Sequence, residues 1–188
     1  NIVRTIIQAA KSHQVESLAI DYSSLSFTKL SIYNEEWLAS TLVENLSIAS
    51  YEFSKYKTKP VSKKSLKEIL ICGLVTSEAK NGIARGLVLS DYINEARDIA
   101  NTPACDMTPT DFGTVAKDLA KGTKVQIVVL GEKEIKKLKM GALFAVGQGT
   151  KSETKFIIAE YWGAGKPSSK SAKDKAPIIL IGKGITYD

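Results

Sequence analysis

The chain has 188 residues, 44% of them apolar, and a net charge of +6. That suffices for one ordinary globular domain or two small ones. No apolar run approaches the roughly 18 to 20 residues that span a bilayer, no secretory signal is visible, and the two cysteines, Cys72 and Cys105, make neither a disulfide framework nor a close metal-type pair.

These features predict no membrane partner and a reducing, cytoplasmic setting. The first residue is Asn1, not Met, which suggests trimming at that end. Apolar residues Ile2, Val3, Ile6, Ile7 and Ala10 recur at helical spacing and predict an amphipathic helix over 1–12. His13 closes it, where a cation suits the helix dipole. "VESLAIDY" (15–22) reads as a strand. "NEEWLASTLVENLSIASYEF" (34–53) returns to helical spacing, with Asn34 as N-cap and Glu35 and Glu36 at the positive end of the dipole. "LKEILICGLV" (66–75) is a second apolar burst rich in strand formers. Helix and strand alternate, which predicts a layered α/β unit with parallel pairing.

A longer helix is predicted over 77–100, with Ala84, Leu87, Val88, Tyr92, Ile93, Ala96 and Ile99 as its apolar stripe. Arg85, Asp91, Glu95 and Asp98 occupy the other face. "NTPACDMTP" (101–109) breaks it with two prolines. The helix reads as a connector, and the division of the chain is placed there: an amino-terminal three-layer α/β domain over 1–76, a connecting helix over 77–103, and a second α/β run over 104–188. Thr108-Pro109-Thr110-Asp111 is a helix start with a capping threonine, a proline at the first position and an acid at the third. That helix ends by Lys121-Gly122. A strand (124–131), a short helix (132–140) and another strand (154–163) follow. A lysine-rich loop, 165–175, leads into the apolar run of 176–184. The stretches 125–130 and 178–181 are almost unbroken Ile, Val and Leu, which predicts strands buried on both faces.

Chemistry in an open α/β sheet collects at the carboxyl ends of its strands. Lys183, between Gly182 and Gly184, lies at such an end in "IILIGKGITYD" (178–188). The glycines let the backbone turn and leave room nearby. Burial and a nearby dication both favour a neutral amine, whose lone pair can bind a metal. Asp188 adds a hard anionic oxygen. One Lys and one Asp make no complete site, and a salt bridge or a phosphate contact explains a strand-end lysine equally well.

"GKGITYD" resembles the GKG-[IV]-T-[FY]-D element of the leucyl aminopeptidases, the M17 family of dinuclear metallopeptidases. "ARDIANTPACDMTP" (96–109), "LKMGALFAVGQGT" (138–150) and "FIIAEYWG" (156–163) resemble further stretches of that family, in the same order and spacing. The resemblance covers about 96–188. Residues 1–95 match only in general layout.

The resemblance implies that 104–188 begins an α/β metallopeptidase catalytic domain. It also implies that Lys183 binds one of two divalent ions, Zn or Mn, and that Asp188 bridges both. Two such ions about 3.5–4 Å apart activate a water and hold the peptide carbonyl. Leucine-like residues would be released from the amino ends of peptide substrates, by a homo-hexamer. The remaining ligands and the catalytic lysine and arginine come later in that family. No catalytic residue is therefore expected in these 188 residues, and the piece alone is expected to be inactive.

The alternative reading is a non-enzymatic binding module for a nucleotide or nucleic acid, supported by the positive charge. Lysines concentrate in "KYKTKPVSKKSLKE" (55–68) and "GKPSSKSAKDK" (165–175), which read as solvated connections and lack interleaved aromatics. Gly147-x-Gly149 lacks the spacing of a phosphate loop. Asn101 and Asp106 read as turn hydrogen bonders, and Trp37 and Trp162 as core or interface residues.

Overall fold

The computed structural model describes residues 2–25, 27–58, 66–73, 76–166 and 176–185. The chain divides into two compact units, Asn1–Asn101 and Thr102–Asp188.

In the first unit the order is α1 (Ile2–Ser12), β1 (Ser17–Asp21), two short 3-10 turns (Tyr22–Leu25 and Thr28–Leu30), α2 (Glu35–Ser50), β2 (Glu68–Cys72) and α3 (Ser77–Asn101). β1 and β2 pair in parallel, with Ser17 opposite Glu68 and Asp21 opposite Cys72. The expected α/β alternation and parallel pairing are both present. Alternation along the strands sends Leu18, Ile20, Ile69 and Ile71 to one face, where Ile7 of α1 and Leu42 and Leu46 of α2 complete the core. The opposite face carries Ala19 and Leu70, and Leu70 is 50% exposed. Among the described residues the helices therefore layer on one side of this sheet rather than on both.

Asn34 caps α2 as its residue type requires: its Oδ1 accepts from the backbone N–H of Trp37 at 2.9 Å. Tyr22, just past β1, has its hydroxyl pKa raised, first by desolvation and then by the nearby Glu35 charge.

α3 corrects the expected stripe. Its buried residues are Ala79, Gly82, Gly86 and Ser90, whereas Leu87, Val88, Tyr92 and Ile93 are exposed. The cause is close packing on α2. A Cβ on Gly82 would overlap the Glu36 carbonyl oxygen and come within 2.9 Å of Ala39 Cβ. On Gly86 it would stand 2.5 Å from the Ser40 carbonyl oxygen and 3.1 Å from Val43 Cβ. Small side chains let the two backbones approach, so the contact face of α3 is its small-residue face. At the far end the helices are tied by polar groups. Arg97 stacks 3.8 Å from the Tyr51 ring centroid and donates to the Ile48 carbonyl at 2.9 Å. Tyr51 in turn donates to Asp98 at 2.7 Å. α3 thus packs within the first unit along α2, up to the division at Asn101.

The second unit contains α4 (Pro109–Ala120), β3 (Gln126–Leu130), α5 (Glu132–Lys137), α6 (Gly141–Gly147) and β4 (Phe156–Glu160). β3 and β4 pair antiparallel, Gln126 opposite Glu160 and Leu130 opposite Phe156. α4 lies on β3 at Gly113, where an added Cβ would be 3.1 Å from Val129 Cγ1. Gly122, at φ +73°, lies just past α4. Ile135 of α5 is fully buried. α6 falls just beyond the short helix expected over 132–140, in residues to which periodicity assigned no element.

The expectation of strands buried on both faces does not hold. β3 alternates, with Val128 47% exposed, because α4 covers only the Val129 side. Residues 176–185 form no strand, and Ile178, Leu180 and Ile181 are each 92% exposed. Burial on two faces needs neighbouring strands and a helix layer on each side, and the described residues of this unit supply one strand pair.

The start of α4 follows its sequence closely. Thr108 Oγ1 accepts from Asp111 N–H at 3.3 Å, and Thr108 N–H donates to Asp111 Oδ2 at 3.0 Å. The hydrogen bond from the Thr108 hydroxyl, and then that from its backbone N–H, hold the Asp111 carboxyl below the ordinary carboxylate range. A carboxyl whose pKa is lowered on folding contributes stability above its unfolded value, and the contribution is lost as pH falls through the folded value. Thr108→Ala is expected to cost about 1 kcal/mol at neutral pH. The deficit should narrow as pH falls below about 4, where the unfolded carboxyl takes up its proton, and should narrow further as pH falls through the lowered folded value of Asp111. Urea titrations of both variants at the two pH values measure this, and equal stability at neutral pH would discount the cap.

Candidate functional site

Lys183 is the expected metal-binding residue within the described part of the chain. It stands in the exposed stretch 176–185, which forms no helix or strand. Poor hydration of this lysine, expected from a buried strand end, is therefore not found. Gly182 and Gly184 likewise have nothing within 4 Å of an added Cβ. Asp188, the expected bridging ligand, lies outside the described residues. Among the described residues no group of three or more His, Cys, Asp or Glu side chains is placed to hold a metal ion. As described, these residues do not by themselves fit a metal centre.

The surrounding unit is built from short polar ties. Glu153 Oε1 accepts from the backbone N–H of Glu132 at 3.1 Å, joining the start of α5 to the segment before β4. Its carboxyl lies below the usual range, first because of the hydrogen bond from Lys155 and then because of that N–H. Trp162 donates its indole N–H to Glu160 at 3.1 Å, a local tie just beyond β4.

The other singled-out residues take structural positions. Asn101 donates to the Tyr51 hydroxyl at 3.1 Å, and Asp106 N–H closes a turn onto the Pro103 carbonyl at 2.9 Å. Gly147 ends α6, and a Cβ there would overlap the Thr154 side chain. Trp37 stacks on Tyr33 with ring centroids 4.0 Å apart and is partly exposed, so it is not a core residue. His13 is exposed beyond α1, and Cys72 and Cys105 are exposed free thiols. Much of the two lysine-rich stretches, 59–65 and 167–175, lies outside the described residues. No helix among the described residues is long and apolar enough to cross a membrane. Among the described residues no catalytic side chain emerges beyond those singled out from the sequence.

The described residues form an α/β chain, and comparison with known proteins specifies its family. Residues 94–188 match the catalytic domain of the cytosol aminopeptidase family, peptidase M17. The chain is 35% identical over 186 residues to a probable cytosol aminopeptidase of Polaromonas naphthalenivorans, covering 99% of this chain and 35% of that protein. It is also 35% identical over 158 residues to one from Paraburkholderia phymatum, covering 82% and 30%. Among solved structures, a mutant of tomato leucine aminopeptidase aligns with TM-score 0.72 at 26% identity, over 83% of this chain and 31% of that one. The bottromycin maturation enzyme BotP in complex with Mn shares the fold at TM-score 0.66 and 22% identity, over 85% and 33%. The chain belongs to the cytosol aminopeptidase family. It spans about a third of the length of these relatives.

Proposed function

We propose that this chain is the front part of a metal-dependent aminopeptidase that releases amino-terminal residues, leucine-like ones preferred, from peptides in the cytoplasm. One observation carries the reading: the catalytic-domain match runs from residue 94 to 188 and includes the whole of "GKGITYD". Lys183 and Asp188 are the ligands this chain would contribute to two divalent ions, Zn or Mn. The other ligands and the catalytic groups would lie in the part of the relatives beyond the match. Those ions would supply Lewis-acid activation of water and carbonyl. In this reading the catalytic domain begins near 104, after an amino-terminal domain over 1–76 and a connecting helix over 77–103. Assembly as a hexamer belongs to the same reading.

The 188-residue chain alone should not hydrolyse Leu-p-nitroanilide with Mn or Zn, because two ligands hold a divalent ion weakly. A natural gene product well above 20.4 kDa should hydrolyse it, with turnover that depends on added metal. Metal-dependent turnover by the short chain would remove the incomplete-site argument. A long product inactive with either metal would remove the aminopeptidase reading.

A further inference from the structure

The connector motif "ARDIANTP" (96–103) is a stretch to which the proposed function gives no role, and its polar side chains converge on one phenol. The convergence begins at the end of α2, whose last four carbonyls lack partners further along the helix. No basic residue stands in that last turn. The Ser47 carbonyl accepts from the capping N–H of Tyr51 at 3.2 Å. The other three are served by neighbouring helices. Arg97 of α3 donates to Ile48 at 2.9 Å, and the Lys11 ammonium of α1 donates to Ala49 at 3.5 Å and to Ser50 at 3.1 Å. Tyr51 is thereby fixed at the point where α2 ends.

The end of α3 has the composition of a helix that frays. Its last turn, 98–101, carries Asp98 and no basic residue, so its charge opposes the helix dipole. Asp98, Ala100 and Asn101 are exposed, so little apolar burial holds the turn. The helix nevertheless runs through Asn101. The Tyr51 hydroxyl donates to the Asp98 carboxylate at 2.7 Å and accepts from the Asn101 side-chain amide at 3.1 Å, which uses it as donor and as acceptor at once. Arg97 lies 3.8 Å from the centroid of the same ring, and its guanidinium is held by the Ile48 carbonyl and by Asn94 at 3.0 Å. Residues 97, 98 and 101 thus meet one side chain that the end of α2 holds in place.

We propose that Tyr51 is a latch on the last turn of α3: residues 98–101 open together when the phenol is released, rather than fraying one by one from the helix end. That turn is where the chain leaves the first unit. Four residues span about 6 Å as helix and up to about 14 Å extended, so the latch sets the reach of the connection to the second unit. The inference stands apart from the aminopeptidase reading, because every group in it belongs to the first unit.

Residue-resolved amide hydrogen exchange of the 188-residue chain at neutral pH tests it. In the parent, amides 98–101 should be protected to similar degrees. Tyr51→Phe keeps the ring and removes the hydroxyl. It should lower protection at 98–101 by about tenfold or more, the scale of two lost hydrogen bonds, and leave 84–90 within about twofold. Asp98→Ala reads the latch by sign. Helix propensity and the dipole both say that it should raise protection of the last turn. With Tyr51 in place it should lower protection instead, and only in the Tyr51→Phe background should it raise it. Protection that falls stepwise from 98 to 101 in the parent would overturn the proposal. Unchanged protection there in Tyr51→Phe would do the same, as would an equal loss along all of α3, the mark of general destabilisation. An effect of Asp98→Ala that is the same in both backgrounds would also overturn it.

Discussion

Gly82→Ala should destabilise the first unit by about 2 kcal/mol, although glycine to alanine inside a helix ordinarily stabilises by about 1. The sign is reversed by what the new methyl would meet. On Gly82 it overlaps a backbone carbonyl oxygen of α2, at Glu36, and crowds Ala39 Cβ. A backbone atom cannot rotate away as a flexible side-chain end can. The helices must separate, and the contacts around Ala39 and Ala79, both fully buried, loosen with them. Gly86→Ala meets the Ser40 carbonyl in the same way one turn later. Because both act on one interface, the double variant should lose less than the sum, since the first methyl already parts the helices. Guanidinium titrations of the single and double variants give these values. A Gly82→Ala chain as stable as the parent would mean that the two backbones are not in contact.

The same helix shows where a sequence reading stops. The extent of α3 follows from its spacing, but its inward face does not. A search for large apolar residues selects Leu87, Val88 and Tyr92, which are exposed. The packed face is written in the residues that such a search discounts, Gly82, Gly86 and Ser90 at four-residue steps. Local chemistry was far more legible. Asn34 and Thr108 cap their helices because their side chains answer backbone groups two or three residues away, and no tertiary knowledge is needed for that. Burial of 178–181 depends on strands and helices from elsewhere, so an unbroken apolar run records a requirement rather than a neighbourhood. The candidate site is the extreme case. Its motif is legible as seven consecutive letters, whereas two proposed ligands, one of them outside the described residues, do not define the geometry that a metal needs.

In the full-length protein that the proposed function requires, Lys183→Ala should lower turnover by about 100-fold or more, the scale of losing one fixed group at a reacting centre. Metal bound per subunit should fall with it. The informative companion is Lys183→Arg. A lysine that binds a metal does so through the lone pair of a neutral amine. Guanidinium has no acceptor and is not deprotonated in proteins, so arginine cannot take that place. If Lys183 is a ligand, the arginine variant should be as impaired as the alanine variant, in both metal content and turnover. If it is instead a salt-bridge partner or an anion contact, arginine keeps the charge and should retain most of the activity. Atomic emission on the purified variants, beside rates on Leu-p-nitroanilide, separates the two cases. An arginine variant with wild-type metal content would remove Lys183 from the ligand set.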